Sequence, residues 1–339
     1  MLIEFGIDTF GDITRDANGL RSPAQVIRDT LAEGELAEQV GLDYIGLGEH
    51  HRPDFAISTP EPIMAAILAR TEKIRVGTSV TVLSSDDPIR VFQRFSTLDA
   101  LAPGRPEVTI GRGSFTESFP LFGLALDDYE VLFEEKSQMF HQLVTQEKVS
   151  FESRFRPPLK SVTVHPRPEQ PLRVWRGVGG SPQSVIETAA MEMNLMLAII
   201  GGDAARFAPL VDLYKRAHEQ LGTKPGVIGV HSPGHIAETD QQAQDEFFPG
   251  YQKMHAMIGA SRGWPPLRRE QFEAEIAHGS LYVGSPETVA AKIASTIKAL
   301  DLTRFTLKYS AGQQDPATLR KTIELYGTKV APRVRDLLG

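Results

Sequence analysis

The chain has 339 residues, 41% of them hydrophobic, a net charge of -7 and no cysteine. That length supplies a sizeable core, and the mild acidity gives no basic face for nucleic acid. The absence of cysteine excludes a disulfide framework, thiolate metal sites and a cysteine nucleophile.

The N-terminal MLIEFGIDTF has neither the basic start nor the small-residue cleavage site of a signal peptide, and the longest apolar run, near 195–200, is too short to span a bilayer. The expectation is a soluble, cytoplasmic protein without membrane contact.

Short β-rich runs alternate with longer helical patterns. A strand at 3–7 leads to a helix at 23–40, with Ser22 as cap, Pro23 at its first position and Gly41 as its stop. Strand 43–48 precedes helix 62–69, strand 74–83 precedes helix 88–100, and strand 107–111 precedes helix 127–144. Strand 173–178, helix 182–190, strand 194–200, helix 204–221 and strand 227–231 follow. Helix 287–299, strand 304–308 and helix 316–338 close the chain.

Eight strand–helix alternations require parallel strands with helical crossovers, and the uniformly apolar LMLAII suits a strand covered on both faces. The fold class predicted is α/β, a (β/α)8 TIM barrel in one domain with insertions; an open doubly wound sheet is the alternative. Two stretches fall outside the repeat: the Pro-rich segment 146–170, and 241–280 with Gly-Trp-Pro-Pro at 263–266. A long insertion after a barrel strand sits at the active-site mouth.

In such a barrel the reactive groups stand at the C-terminal ends of the strands. After the second strand comes Gly48-Glu49-His50-His51. Side chains alternate along a strand, so one imidazole faces the mouth and the other packs outward. His50 is either a proton-transfer group or a structural histidine. After the third strand, Asp86 or Asp87 caps the helix that Pro88 opens. After the fourth, Gly111-Arg112-Gly113-Ser114 offers close backbone approach and a cationic fork, unless Arg112 is an ordinary surface arginine.

After the fifth strand, Gly179-Gly180-Ser181-Pro182 with Ser184 is the most informative stretch. It reads as an anion cradle at a helix N-terminus, or as plain N-capping by Ser181. Asp203 reads as a cap. A metal reading would gather His50, His51, His231 and His235, but no clear ligand spacing supports it. There is no G-x-S-x-G elbow, and no G-x-G-x-x-G opens a helix after the first strand.

Taken in order, GLDYIGLGEHH (41–51), TEKIRVGTSVTVLSSDDPIRVFQRFSTLDAL (71–101), GRPEVTIGRGS (104–114), VGGSPQSVIETAA (178–190) and YVGSPETVAAKI (282–293) resemble the bacterial-luciferase-like flavin monooxygenases. The resemblance implies a barrel holding FMN, or in some branches the deazaflavin F420. His50 matches the family's active-site histidine. Ser79 and Val80 fall where members hold a non-prolyl cis peptide under the flavin ring. Arg112 matches the arginine that contacts the flavin, and Ser181 and Ser184 match phosphate-binding hydroxyls.

The chain departs from bacterial luciferases at Gly111, where they carry cysteine, and at Asp87, where they carry histidine; light emission is not implied. The implied activity is oxidation of a small organic substrate by reduced FMN and O2, with His50 assisting proton transfer and 241–280 acting as a lid. Trp264 lines the pocket or packs. A separate flavin reductase and a homodimer follow by the same resemblance. The rival readings are an F420-dependent hydride-transfer enzyme, a non-catalytic flavin-binding protein and a metal-dependent barrel hydrolase.

Overall fold

The computed structural model describes residues 3–113, 115–260 and 263–339; Ser114, within the Gly-Arg-Gly-Ser turn, lies outside them. Eight parallel strands form the barrel: β1 (Glu4–Thr9), β2 (Tyr44–Leu47), β3 (Arg75–Thr78, resuming at Thr81–Val82), β4 (Pro106–Gly111), β5 (Arg173–Val178), β6 (Asn194–Ala198), β7 (Ile228–Ile236) and β8 (Arg304–Lys308). Each pairs with its sequence neighbours. The ring passes through β4–β5, where Glu107 pairs with Arg173, and closes at β8–β1, where Arg304 pairs with Glu4. The eight-fold alternation therefore gives a closed barrel, and the open-sheet alternative is set aside.

The helices start where one local device recurs. Ser22, Asp87, Ser181, Ser285 and Asp315 each accept a first-turn amide through the side chain, and each is followed by proline. The side-chain oxygen satisfies a donor the helix cannot, and proline has no donor to waste. This is why helix starts were readable in the sequence. The final helix runs Pro316–Leu325, then a wide π turn Tyr326–Val330, then Ala331–Leu338. Pro332 has no N–H to continue the ordinary ladder there.

Barrel closure decides the interior. Tyr44 and Trp175 fill its lower part and are buried. Glycines face them because nothing larger fits: a Cβ on Gly6 or Gly77 would stand 2.8 Å from the Tyr44 ring or hydroxyl. At the floor, the N-terminal end of the strands, Glu107 is fully buried. It accepts from Arg304 at 2.6 and 3.0 Å, from Trp175 Nε1 at 2.9 Å and from Arg173 at 3.1 Å. Arg304 also donates to Glu4 at 2.8 Å and lies over the Tyr44 and Trp175 rings. Burial pushes the Glu107 carboxyl up, but Arg304 first, then Arg173 and Arg75, more than reverse this and hold it below its ordinary value.

Both excursions are ordered where they are described. Segment 146–170 carries the antiparallel pair Val149–Phe151 and Leu159–Val162. Segment 241–280 is largely helical, Asp240–Ala260 and Arg269–His278. The first of these buries Ala243, Phe247 and Gly250 along one stripe, and Phe247 meets Phe272 of the second at 6.2 Å. β7 runs on past the expected 231 to Ile236, because its end pairs with Tyr282–Gly284.

Candidate active site

The mouth is built from the C-terminal ends of the strands. β2 ends at Leu47, and the chain then turns so that His50 donates its backbone N–H to the Ile57 carbonyl at 2.8 Å. Its half-buried imidazole sits among Phe10, Phe55 and Phe115, with ring centroids 4.5, 4.5 and 5.2 Å away. Nε2 is buried and has no hydrogen-bond partner among the described residues. Loss of solvation first, then the charges of Lys308, His51 and Arg52, lowers its pKa to about 3. His50 is therefore neutral at neutral pH.

The neighbouring His51 goes a different way. Its Nε2 meets Glu49 Oε1 at 2.8 Å, and Glu49 Oε2 accepts from the Val82 backbone at 3.0 Å. One histidine faces the aromatic box and the other is tied to a carboxylate; the strand has already ended at Leu47, so the turn and not strand alternation separates them.

β3 breaks at Ser79-Val80, whose peptide bond is cis, as the resemblance implies. The break lies against its neighbours on both sides. A Cβ on Gly48 would stand 2.7 Å from the Ser79 carbonyl oxygen, and one on Gly111 would stand 2.6 Å from Val80 Cγ2. A Gly177 Cβ would come within 3.3 Å of the Val80 side chain. The ends of β2, β3, β4 and β5 thus converge on this dipeptide. Gly111, where luciferases carry cysteine, has no room for a side chain.

Arg112 follows at the end of β4. Its guanidinium donates to Glu130 at 2.7 and 2.6 Å, and its carbonyl accepts from Ser84 Oγ at 3.1 Å. At the end of β5, Gly179 and Gly180 are exposed, and no atom lies within 4 Å of where either Cβ would stand. Gly180 has φ +133°, a region that favours glycine. Ser181 Oγ accepts from the Ser184 amide at 3.3 Å, so the capping reading holds for Ser181. Asp87 caps the helix Pro88–Leu101 that follows it, accepting from Ile89 and Arg90, and Asp203 caps the turn at Ala204.

The histidines of the metal reading do not converge. His51 is held by Glu49, His231 by Asp8, and His235 by Glu246 and Thr322. Among the described residues no group of three or more His, Asp or Glu side chains is arranged to hold an ion.

A model of the family described as luciferase-like monooxygenase matches residues 5–303. The chain belongs to the luciferase-like monooxygenase family. Among relatives of known sequence, the uncharacterized protein y4vJ of Sinorhizobium fredii is 22% identical over 94% of this chain and 95% of its own length. The F420-dependent glucose-6-phosphate dehydrogenase of Kineococcus radiotolerans is 31% identical over 45% of this chain and 49% of its own.

Two solved folds of the same kind cover the whole chain. The monooxygenase RslO1 of Streptomyces bottropensis has TM-score 0.85 and 23% identity over 97% of this chain and 99% of its own. The oxygenating constituent of 3,6-diketocamphane monooxygenase of Pseudomonas putida, in complex with FMN, has TM-score 0.78 and 18% identity over 98% and 99%. One of these neighbours thus holds FMN, and one relative is F420-dependent.

Sequence reasoning missed three groups at this mouth. Asp8 is the last residue but one of β1 and bonds His231 of β7 at 2.6 Å. Lys308 ends β8, ion-pairs Asp12 at 3.1 Å, donates to the Ser310 carbonyl and lies over the Phe10 ring. Phe10 separates the two imidazoles, edge-on to His50 and parallel to His231. The strand-end rule applied to β1 and β8 would have found Asp8 and Lys308. Nothing local marks Phe10, and His231 was weighed only as a metal ligand.

Proposed function

We propose that the chain is an FMN-dependent monooxygenase that uses reduced FMN and O2 to oxidise a small organic substrate. The single observation that carries this reading is the His50 Nε2 atom, buried and without a partner among the described residues, in the mouth that also holds the strand break at Ser79-Val80. A native interior rarely leaves such an atom unsatisfied unless something else meets it. The residues fit a phosphorylated, flat, polar-edged ring better than an aliphatic one. Glycines at 48, 111 and 177 let the neighbouring strand ends pack directly against the cis dipeptide.

Bound FMN would supply the electrons that activate O2. The chain's own residues do the rest. The exposed backbone at Gly179 and Gly180, the hydroxyls of Ser181 and Ser184, and the start of helix Pro182–Ala190 receive the phosphate. Arg112 exchanges Glu130 for the cofactor. Ser79 and Val80 support the ring. His50 offers a neutral imidazole to the ring's polar edge, and Phe10, Phe55 and Phe115 keep water away.

Helices Asp240–Ala260 and Arg269–His278 form the lid. The small substrate and O2 enter at the mouth, a separate reductase delivers reduced FMN, and the enzyme works as a cytoplasmic homodimer. The second reading is an F420-dependent hydride-transfer enzyme, favoured by the Kineococcus relative.

Anaerobic titration with FMN and with F420 separates the two. FMN binding at least about tenfold tighter than riboflavin, a difference of about 1.4 kcal/mol, is the expected result, and Ser181→Ala with Ser184→Ala should erase it. Equal affinity for FMN and riboflavin in the wild type would remove the phosphate cradle.

A further inference from the structure

Two imidazoles flank Phe10 at the mouth, and their surroundings are opposite. His50 has only rings around it and cations beyond them. His231 has a carboxylate. Its Nδ1 lies 2.6 Å from Asp8 Oδ2, and Asp8 is fully buried.

His231 also faces the barrel interior. Gly229, two residues earlier on β7, points at Trp175 and Met196, so position 231 shares that inward face. Its register partners are Ala198 on β6 and Thr306 on β8, both small. The ring keeps a narrow exposed edge, and among the described residues Nε2 makes no hydrogen bond. The titratable and charged groups around it are Asp8 on β1, Lys308 on β8, Asp12 in the turn after β1, and His50 across Phe10. Lys308 is already neutralised by Asp12.

A carboxylate on Nδ1 fixes that nitrogen as the N–H donor and leaves Nε2 as the acceptor. When Nε2 takes a proton, the new positive charge stands against Asp8. His50 has no anion to answer such a charge.

We infer that the acid–base group of this mouth is His231, positioned by Asp8, and that it serves an organic substrate carrying an acidic hydroxyl, a phenol or an enol. The inference rests on the monooxygenase reading for its reaction. The step moves one proton: the substrate O–H bond breaks, its electron pair stays on oxygen, and an N–H bond forms at Nε2. A neutral imidazole is too weak a base for a plain alcohol or a C–H bond, so the substrate's hydroxyl must itself be acidic. The resulting oxyanion makes the substrate electron-rich, as oxygen transfer to it requires. Phe10, parallel to His231 at 6.0 Å, provides an aromatic wall beside the base.

The test uses the full chain without flavin and 4-nitrophenol as the probe, since its phenolate is coloured. Bound to the wild type below its solution midpoint, 4-nitrophenol should appear as phenolate. In Asp8→Asn and His231→Gln the bound phenolate should fall about tenfold, the equivalent of about one pKa unit, while Lys215→Gln, on the outer surface, leaves it in place.

Imidazole nitrogen NMR of the wild type should show His231 as the Nδ1–H tautomer, and Asp8→Asn should lose it. Absence of 4-nitrophenol binding, phenolate retained in both variants, or an Nε2–H tautomer in the wild type would each overturn the inference. None of these readouts uses FMN. Failure of FMN to bind would sink the monooxygenase reading and leave the dyad standing.

Discussion

The floor and the mouth of this barrel are made from the same eight strands and obey opposite rules. At the floor, the Glu107 carboxylate and the guanidinium of Arg304 are buried and paired. Space there is filled to contact by Tyr44 and Trp175. At the mouth, three buried polar atoms have no partner among the described residues: His50 Nε2, Asp8 Oδ1 and Thr306 Oγ1. Gly179 and Gly180 there leave open space, with no atom within 4 Å of where either Cβ would stand. A closed floor contributes stability and one fixed shape. An incompletely satisfied mouth costs stability and keeps donors and acceptors ready for a ligand.

The sharpest way to break this comparison is at the floor. Glu107→Ala leaves the Arg304 guanidinium buried beside a vanished partner, and should cost about 3–5 kcal/mol. Urea or thermal denaturation measures it; a loss below about 1 kcal/mol would mean the cluster is not the anchor described. Next is the tight packing around the cis dipeptide at the mouth. Gly111→Ala drives a methyl to 2.6 Å from Val80, a clash that should cost about 1–3 kcal/mol and weaken FMN binding more than it weakens the fold. Flavin titration alongside denaturation separates the two effects.

Smaller still is Asp87→Ala, which removes the cap of helix Pro88–Leu101 and should cost about 1 kcal/mol without changing FMN affinity. The most specific effect is on pH dependence. The His50 pKa lies at about 3 in the fold against 6.5 outside it. The group therefore contributes stability that is complete above pH 6.5 and is lost as pH falls through about 3. Denaturation midpoints of His50→Leu should fall less steeply than those of the wild type across that window; parallel curves would show that the imidazole is not desolvated.

Much of the frame was readable because it is local. The strands at 173–178 and 304–308 and the helix at 182–190 have the bounds expected. Their apolar runs and Ser-Pro or Asp-Pro starts are contained within a few residues. The segment 241–280 was read only as an excursion, although its Ala243, Phe247, Gly250 stripe has helical spacing; the charges between those residues hid it. In the site, strand-end position pointed to His50, Arg112 and the 179–184 turn, and the resemblance gave them roles as expectations and alone added Ser79 and Val80. Arg112 shows the limit of such reading, because its guanidinium lies on Glu130, eighteen residues away.

By itself, the sequence determined which segments are strands and helices, where the helices begin, and that eight units repeat, since those depend on spacing and on neighbours along the chain. Only the tertiary structure decided that Asp8 meets His231 across 223 residues, that Glu107 neutralises Arg304 across 197, and that Phe10 stands between two imidazoles. Closing the ring sets inward-facing side chains of distant strands at one height. Whether a buried charge or a polar nitrogen finds a partner there depends on that closure and leaves no trace in local pattern.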